Sequence, residues 1–312
     1  MGLSFLKEIQ MLLVYFLCLC SIITFVLFGL DKGRAINHRW RISECTLLIA
    51  SLFGGIGGLL GMLLFHHKTR KWKFRILVPF FALIHALIIA FLLWASVYYR
   101  ADDTAIKAMQ SDGVVTVEQT KSGWLFDGPS DDKVLIFYPG AKVDAKAYTP
   151  ILRLLAEEEM DVYLVKMPLN LAFLGIGKAG EIVEDSEYEQ YYISGHSLGG
   201  AMAAGYAAEH EGDFKGMILL AAYPTQETAI DTLVIYGSED GVLNMARIAE
   251  APALISGSYS EVVIDGGNHA QFGSYGEQKG DGEAGISAEE QQAQAAQEIR
   301  RFVSGNRSDR LF

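Results

Sequence analysis

The chain has 312 residues, 51% of them hydrophobic, which is high enough to predict that part of it lies in lipid. Charge divides unevenly: residues 1–100 hold 11 basic and 3 acidic side chains, residues 101–312 hold 15 and 34, and an acidic distal part without basic runs excludes nucleic-acid binding. The three cysteines, Cys18, Cys20 and Cys45, sit inside apolar runs and behave as small hydrophobes, which excludes a disulfide framework and a zinc site.

Three uncharged apolar stretches come first, 11–30, 45–65 and 76–99, of 20, 21 and 24 residues. Each is long enough to cross a bilayer as a helix, the conformation that satisfies its own backbone in lipid. A cleavable signal peptide is the alternative for the first, but the run is too long for such a core and two further spans follow it. Residues 1–100 are thus predicted to form an all-α transmembrane domain in contact with the lipid bilayer. The connection at 66–75, HHKTRKWKFR, packs five Lys and Arg into ten residues. Positive loops stay inside, so the N-terminus is expected in the cytoplasm and everything after Arg100 on the outer face of the cell membrane. The connection at 31–44, with Lys32, Arg34, Arg39 and Arg41, pulls the other way.

Gly54, Gly55, Gly57, Gly58 and Gly61 place small residues where a second helix can approach closely. His85 is polar within the third span, and a neutral ring bonded to a neighbouring helix is expected of it. His38, His66 and His67 could be imagined as metal ligands, but adjacent histidines share one tetrahedral ion poorly and no carboxylates join them. Contacts with lipid headgroups beside Trp72 are expected instead. The motifs DK at 31–32, Ala35, RWRISE at 39–44, GGIGGLLGM at 54–62 and FHHKTRKWKF at 65–74 resemble a small family of bacterial membrane proteins that has no known function.

From residue 101 the composition changes, and a second domain is predicted over 101–312. A short helix is expected within 101–111, then a hairpin from VVTVEQT at 114–120 and GWLFDG at 123–128. Apolar runs follow at 134–138, 162–167, 191–194, 216–220, 232–236 and 261–264, separated by helical patterns at 145–159, 197–210, 241–251 and 287–304. Short strands apolar on both faces, alternating with helices, predict an α/β fold built on a mostly parallel sheet.

After the third of these parallel strands stands Gly195-His196-Ser197-Leu198-Gly199-Gly200, the G-x-S-x-G pattern at a strand-to-helix junction. A tight turn there projects the serine oxygen above the sheet. A serine hydroxyl needs a base to take its proton and a third group to orient that base. Asp240 follows the strand at 232–236 and His269 the strand at 261–264, so Ser197, Asp240 and His269 occur in the order this topology demands. Glu239 and Asp265 are the alternative acids. The backbone N–H groups of Leu198, at the start of a helix, and Ala141, in the loop FYPGAKV, are the candidate oxyanion donors. Pocket walls are expected from 167–177, 221–225 and the glycine-rich 273–285. Leu169, Leu171, Phe173 and Tyr223 are the candidate lining residues, and the leucines and phenylalanine could equally be ordinary core.

The segments FYPGAKVDAKAYTPILRLLAEE, YYISGHSLGGAMAAGYAAEH, IYGSEDGVLN and GGNHAQFGSYGEQKGDGEA, with the chain between them over about 125–304, resemble a bacterial α/β-hydrolase family similar to the dienelactone hydrolases. The resemblance implies the α/β-hydrolase fold and triad roles for Ser197, Asp240 and His269. Dienelactone hydrolases use a cysteine where this chain has Ser197, so their substrate does not carry over. Members commonly carry an N-terminal membrane anchor. The expectation is a membrane-anchored serine hydrolase acting on an ester or related acyl bond of a small molecule or lipid, without metal or organic cofactor. The alternative is a membrane sensor or scaffold whose hydrolase-like domain only binds a ligand.

Overall fold

A computed structural model describes residues 2–129, 132–158 and 160–305, with no account of side chains for 2–11. The chain divides after Val97 into two compact units.

The first unit contains α1 (Gly2–Ile36), α2 (Glu44–Phe53), α3 (Gly55–Leu64) and α4 (Trp72–Ser96). Two of its segments, Leu12–Ile36 and Trp72–Ser96, each of 25 residues, are long and apolar enough to cross a membrane. The continuous helix expected over 45–65 is instead two ten-residue helices broken at Gly54. Packing causes the break. A Cβ on Gly54 would collide with the Cys20 carbonyl oxygen and Thr24 Oγ1, so α1 lies directly on bare backbone there. The imidazole of His85, from α4, then repairs the interruption: Nδ1 accepts from Gly55 N–H at 3.0 Å and Nε2 donates to the Leu52 carbonyl at 3.1 Å. Backbone groups without partners are costly in an apolar setting, and this is the polar side chain that supplies them.

α1 also runs past its apolar stretch, so Asp31 lies in the helix and not in a connection. It is fully buried and accepts from Ile42 N–H at 2.8 Å, from His67 Nε2 at 2.7 Å and from Arg41 Nη2 at 3.2 Å. His67, expected at the lipid headgroups, is instead buried against this carboxylate.

The second unit begins with α5 (Asp103–Ala108) and the antiparallel hairpin β1 (Thr116–Gln119) and β2 (Gly123–Asp127). It continues with β3 (Lys133–Tyr138), α6 (Thr149–Ala156), β4 (Asp161–Val165), α7 (Lys178–Asp185), β5 (Gln190–His196) and α8 (Leu198–Glu209). It closes with β6 (Gly216–Leu220), β7 (Thr232–Gly237), α9 (Met245–Glu250), β8 (Tyr259–Ile264) and α10 (Ala288–Val303). The eight strands form one sheet in the order β1-β2-β4-β3-β5-β6-β7-β8, parallel from β4 to β8. Every residue of β6 and β7 is buried, as a sheet covered on both faces requires. One face packs on Ile151, Leu152 and Leu155 of α6 and Ala295, Ala296 and Ile299 of α10. The other packs on Ala179 and Ile182 of α7, Ala203, Ala204 and Ala207 of α8 and Ile248 of α9. Crossovers in a parallel sheet return each strand to the same direction, so the loops after β3, β5, β7 and β8 emerge along one edge. The helix α7 was not predicted; the other elements of this unit fall within or beside their predicted runs.

Candidate active site

The turn from β5 into α8 is held from both sides. Ser197 N–H donates to the Leu220 carbonyl of β6 at 2.9 Å, and the residue sits at φ 54°, ψ −125°, a conformation L side chains rarely adopt. Next to it α8 rides on backbone: a Cβ on Gly199 would collide with the carbonyl oxygens of Tyr138 and Pro139. That contact sets the first turn of α8 against the loop carrying Ala141. Among the described residues neither Leu198 N–H nor Ala141 N–H meets an acceptor, the condition expected of donors kept for an incoming oxygen.

The loop after β7 brings Asp240 to His269. Its Oδ2 lies 2.8 Å from His269 Nδ1, and its Oδ1 accepts from Val242 and Leu243 N–H at 2.9 and 2.8 Å. Both side chains are almost wholly buried, 1% and 2% exposed. A carboxylate at Nδ1 fixes the proton there and leaves Nε2 as an acceptor. Nε2 is buried without a hydrogen-bond partner among the described residues, so Ser197 Oγ is not bonded to it in this structure. Ser197 itself is half-buried. Of the alternative acids, Glu239 is exposed and accepts from Ser238 Oγ at 3.0 Å, and Asp265, directly after β8, is exposed.

His196, the residue before Ser197, ties these parts together. Its Nε2 donates to the His269 carbonyl at 3.0 Å, and its Nδ1 accepts from Tyr148 O–H at 2.8 Å. The Tyr148 oxygen in turn accepts from Gly140 N–H at 3.1 Å. The two imidazoles are 4.6 Å apart, centroid to centroid. Burial, and then the neighbouring His269, hold the His196 ring well below the ordinary histidine value, and burial pushes the Tyr148 phenol up. The loop bearing Ala141, the residue before Ser197 and the main chain of His269 are therefore joined by one buried, uncharged chain of hydrogen bonds. It is revealed by the loops after β3, β5 and β8 meeting along one edge of the sheet; a histidine inside a G-x-S-x-G motif carries no such signal by itself.

The candidate pocket residues separate. Leu171 is buried, Leu169 and Tyr223 are half-buried, and Phe173 is 46% exposed. The segment after β4 stands beside the Ala141 loop, since Lys142 N–H donates to the Asn170 carbonyl at 2.8 Å. Phe173, Leu174 and Ile176 on that segment, and Val242 and Met245 after Asp240, are exposed apolar side chains.

Two family models match the chain. Residues 134–293 match the one described as "Alpha/beta hydrolase family", and residues 21–74 match "Protein of unknown function (DUF1294)". The uncharacterized protein YsdA of Bacillus subtilis is 40% identical over 94 residues, 30% of this chain and 99% of that protein. Among solved structures, a CIB-like hydrolase of Thermoplasma acidophilum aligns with TM-score 0.44 at 15% identity, covering 60% of this chain and 99% of its own. A dienelactone hydrolase of Anabaena variabilis aligns with TM-score 0.44 at 16% identity, covering 63% and 97%.

Proposed function

The chain belongs to the alpha/beta hydrolase family through residues 134–293, and to a family of unknown function through its N-terminal unit, and we propose that it is a serine hydrolase anchored in a membrane. The observation that carries the reading is the Asp240–His269 pair, whose free Nε2 is buried one ring contact away from the strained turn at Ser197.

In the proposed reaction His269 Nε2 takes the proton of Ser197 Oγ as the oxygen attacks an acyl carbonyl. Asp240 holds the imidazole in the required tautomer and stabilises the imidazolium. The new oxyanion takes hydrogen bonds from Leu198 and Ala141 N–H. Collapse expels the alcohol, which receives the proton from Nε2, and water then releases the acid from the acyl-serine by the same steps in reverse. Phe173, with Leu169 and Tyr223, forms the acyl side of the pocket, and its apolar character favours an ester of a small or lipid acid. The basic connection at 66–75 favours an orientation with the hydrolase unit on the outer face of the cell membrane.

A fluorophosphonate probe on membranes carrying the native protein or Ser197→Ala tests the reading. Labelling of the native protein alone is expected. Folded native protein that takes no probe refutes the enzyme and favours a ligand-binding sensor. Protease applied to intact cells should remove the distal unit, and its survival there would refute the orientation.

A further inference from the structure

The segment 273–285, expected as a pocket wall, lies at its Asp281–Gly285 end against both the loop that carries Asp240 and the loop that carries His269. Its Asp281 carboxylate accepts four backbone N–H groups. Oδ1 takes those of Gly241 at 3.1 Å, His269 at 3.1 Å and its neighbour Gly282 at 2.8 Å, and Oδ2 takes that of Ala270 at 2.8 Å. The main chain is locked in the same place. Asn268 Nδ2 donates to the Gly282 carbonyl at 2.9 Å, and Gly285 N–H donates to the Gly266 carbonyl at 2.7 Å. A Cβ on Gly282 would collide with the Glu239 carbonyl oxygen, and Gly280 holds φ at +90°, which a side chain disfavours. The glycines on either side of Asp281 thus let this strap lie flat against both loops.

We infer that Asp281 is a positioning residue of the proposed active site: its carboxylate fixes the acid loop and the histidine loop to each other, and so sets the Asp240–His269 geometry. The inference rests on the serine-hydrolase reading above. The carboxylate bonds the main chain on both sides of the pair, at the residue after Asp240 and at His269 itself. Its hydrogen bonds are charge-assisted, about twice as strong as neutral ones. Asp240 and His269 lie 29 positions apart. Glu239 N–H, donating to the Gly267 carbonyl at 2.8 Å, and Gly266 N–H, donating to Ser238 Oγ at 2.9 Å, tie the two loops only before the pair is reached. Asp281 adds the bonds at Gly241, His269 and Ala270. A displacement of about 1 Å in a reacting group can cost on the order of 100-fold in rate.

The test uses the full-length protein in detergent, with turnover of a p-nitrophenyl ester expressed per serine titrated by fluorophosphonate, so that loss of folded protein does not count as loss of rate. Asp281→Ala is expected to lower kcat by about 10- to 100-fold with KM within about twofold. Asp281→Asn keeps one carbonyl oxygen but turns an amide toward Ala270 N–H, and should fall between the two. If Asp281→Ala gives no titratable protein, Asp281→Asn decides. Variant turnover per titrated serine equal to that of the native protein, with the native protein labelled and Ser197→Ala not, overturns this inference alone. Native protein that takes no probe overturns it together with the hydrolase reading.

Discussion

Tyr148→Phe tests the buried hydrogen-bond chain most directly, because it removes one oxygen and almost no volume. Tyr148 is fully buried, and its hydroxyl serves Gly140 N–H on one side and His196 Nδ1 on the other. Without it both groups remain buried and unpaired, at about 1–3 kcal/mol each. The lower half of that range, since the Gly140 loop can relax, gives about 3 kcal/mol for the pair. For a domain of this size that corresponds to a Tm lower by about 6–12 °C. The loop that relaxes also carries Ala141, so the rate of fluorophosphonate labelling should fall by about tenfold, less than loss of a whole oxyanion donor costs. Thermal unfolding of the full-length protein, followed by tryptophan fluorescence, and labelling time courses read the two effects. A Tm within 2 °C of native (about 1 kcal/mol or less) with unchanged labelling would refute the reasoning.

Two glycines of one helix should respond oppositely to alanine. Gly199→Ala drives a methyl into the Tyr138 and Pro139 carbonyls and should destabilise by about 3 kcal/mol or more, with loss of labelling. Gly205→Ala meets nothing nearer than 3.6 Å and should stabilise by about 0.5–1 kcal/mol; equal Tm shifts for the two would contradict the packing described. His196 supplies a pH dependence. Its folded-state pKa is depressed by burial, so below about pH 6.5 the unfolded chain binds the extra proton. The stability held by the neutral ring is therefore present above about pH 6.5 and lost as the pH falls toward the folded-state value, by up to about 1.4 kcal/mol per unit. Tm measured from pH 7.5 down to 5 should drop more steeply for the native protein than for His196→Gln, and parallel curves would refute the assignment.

What the sequence disclosed follows from which interactions are local. Strands such as β6 and β7 are read from unbroken apolar runs bounded by turns, and the G-x-S-x-G turn from its neighbours. Helix α7 escaped because its eight residues bury only Ala179 and Ile182, too few for a period. The break at Gly54 was hidden by an apolar run that continues straight through it; its cause lies on α1 and its repair on α4. Asp31 read as the start of a loop because its partners, Arg41, Ile42 and His67, come later in the chain. Asp281 was invisible for the same reason: a carboxylate among glycines looks like solvated loop until three distant N–H groups are found around it.

The backbone at Ser197 has a wider consequence. A non-glycine residue held at φ 54°, ψ −125° costs on the order of 1–3 kcal/mol, and a glycine there would relieve most of it while abolishing the proposed chemistry. Folding alone therefore gives no reason to keep a serine at this position. Selection for thermal robustness without selection for turnover should discard that side chain early, and a library screened for heat resistance would enrich inert members of the fold.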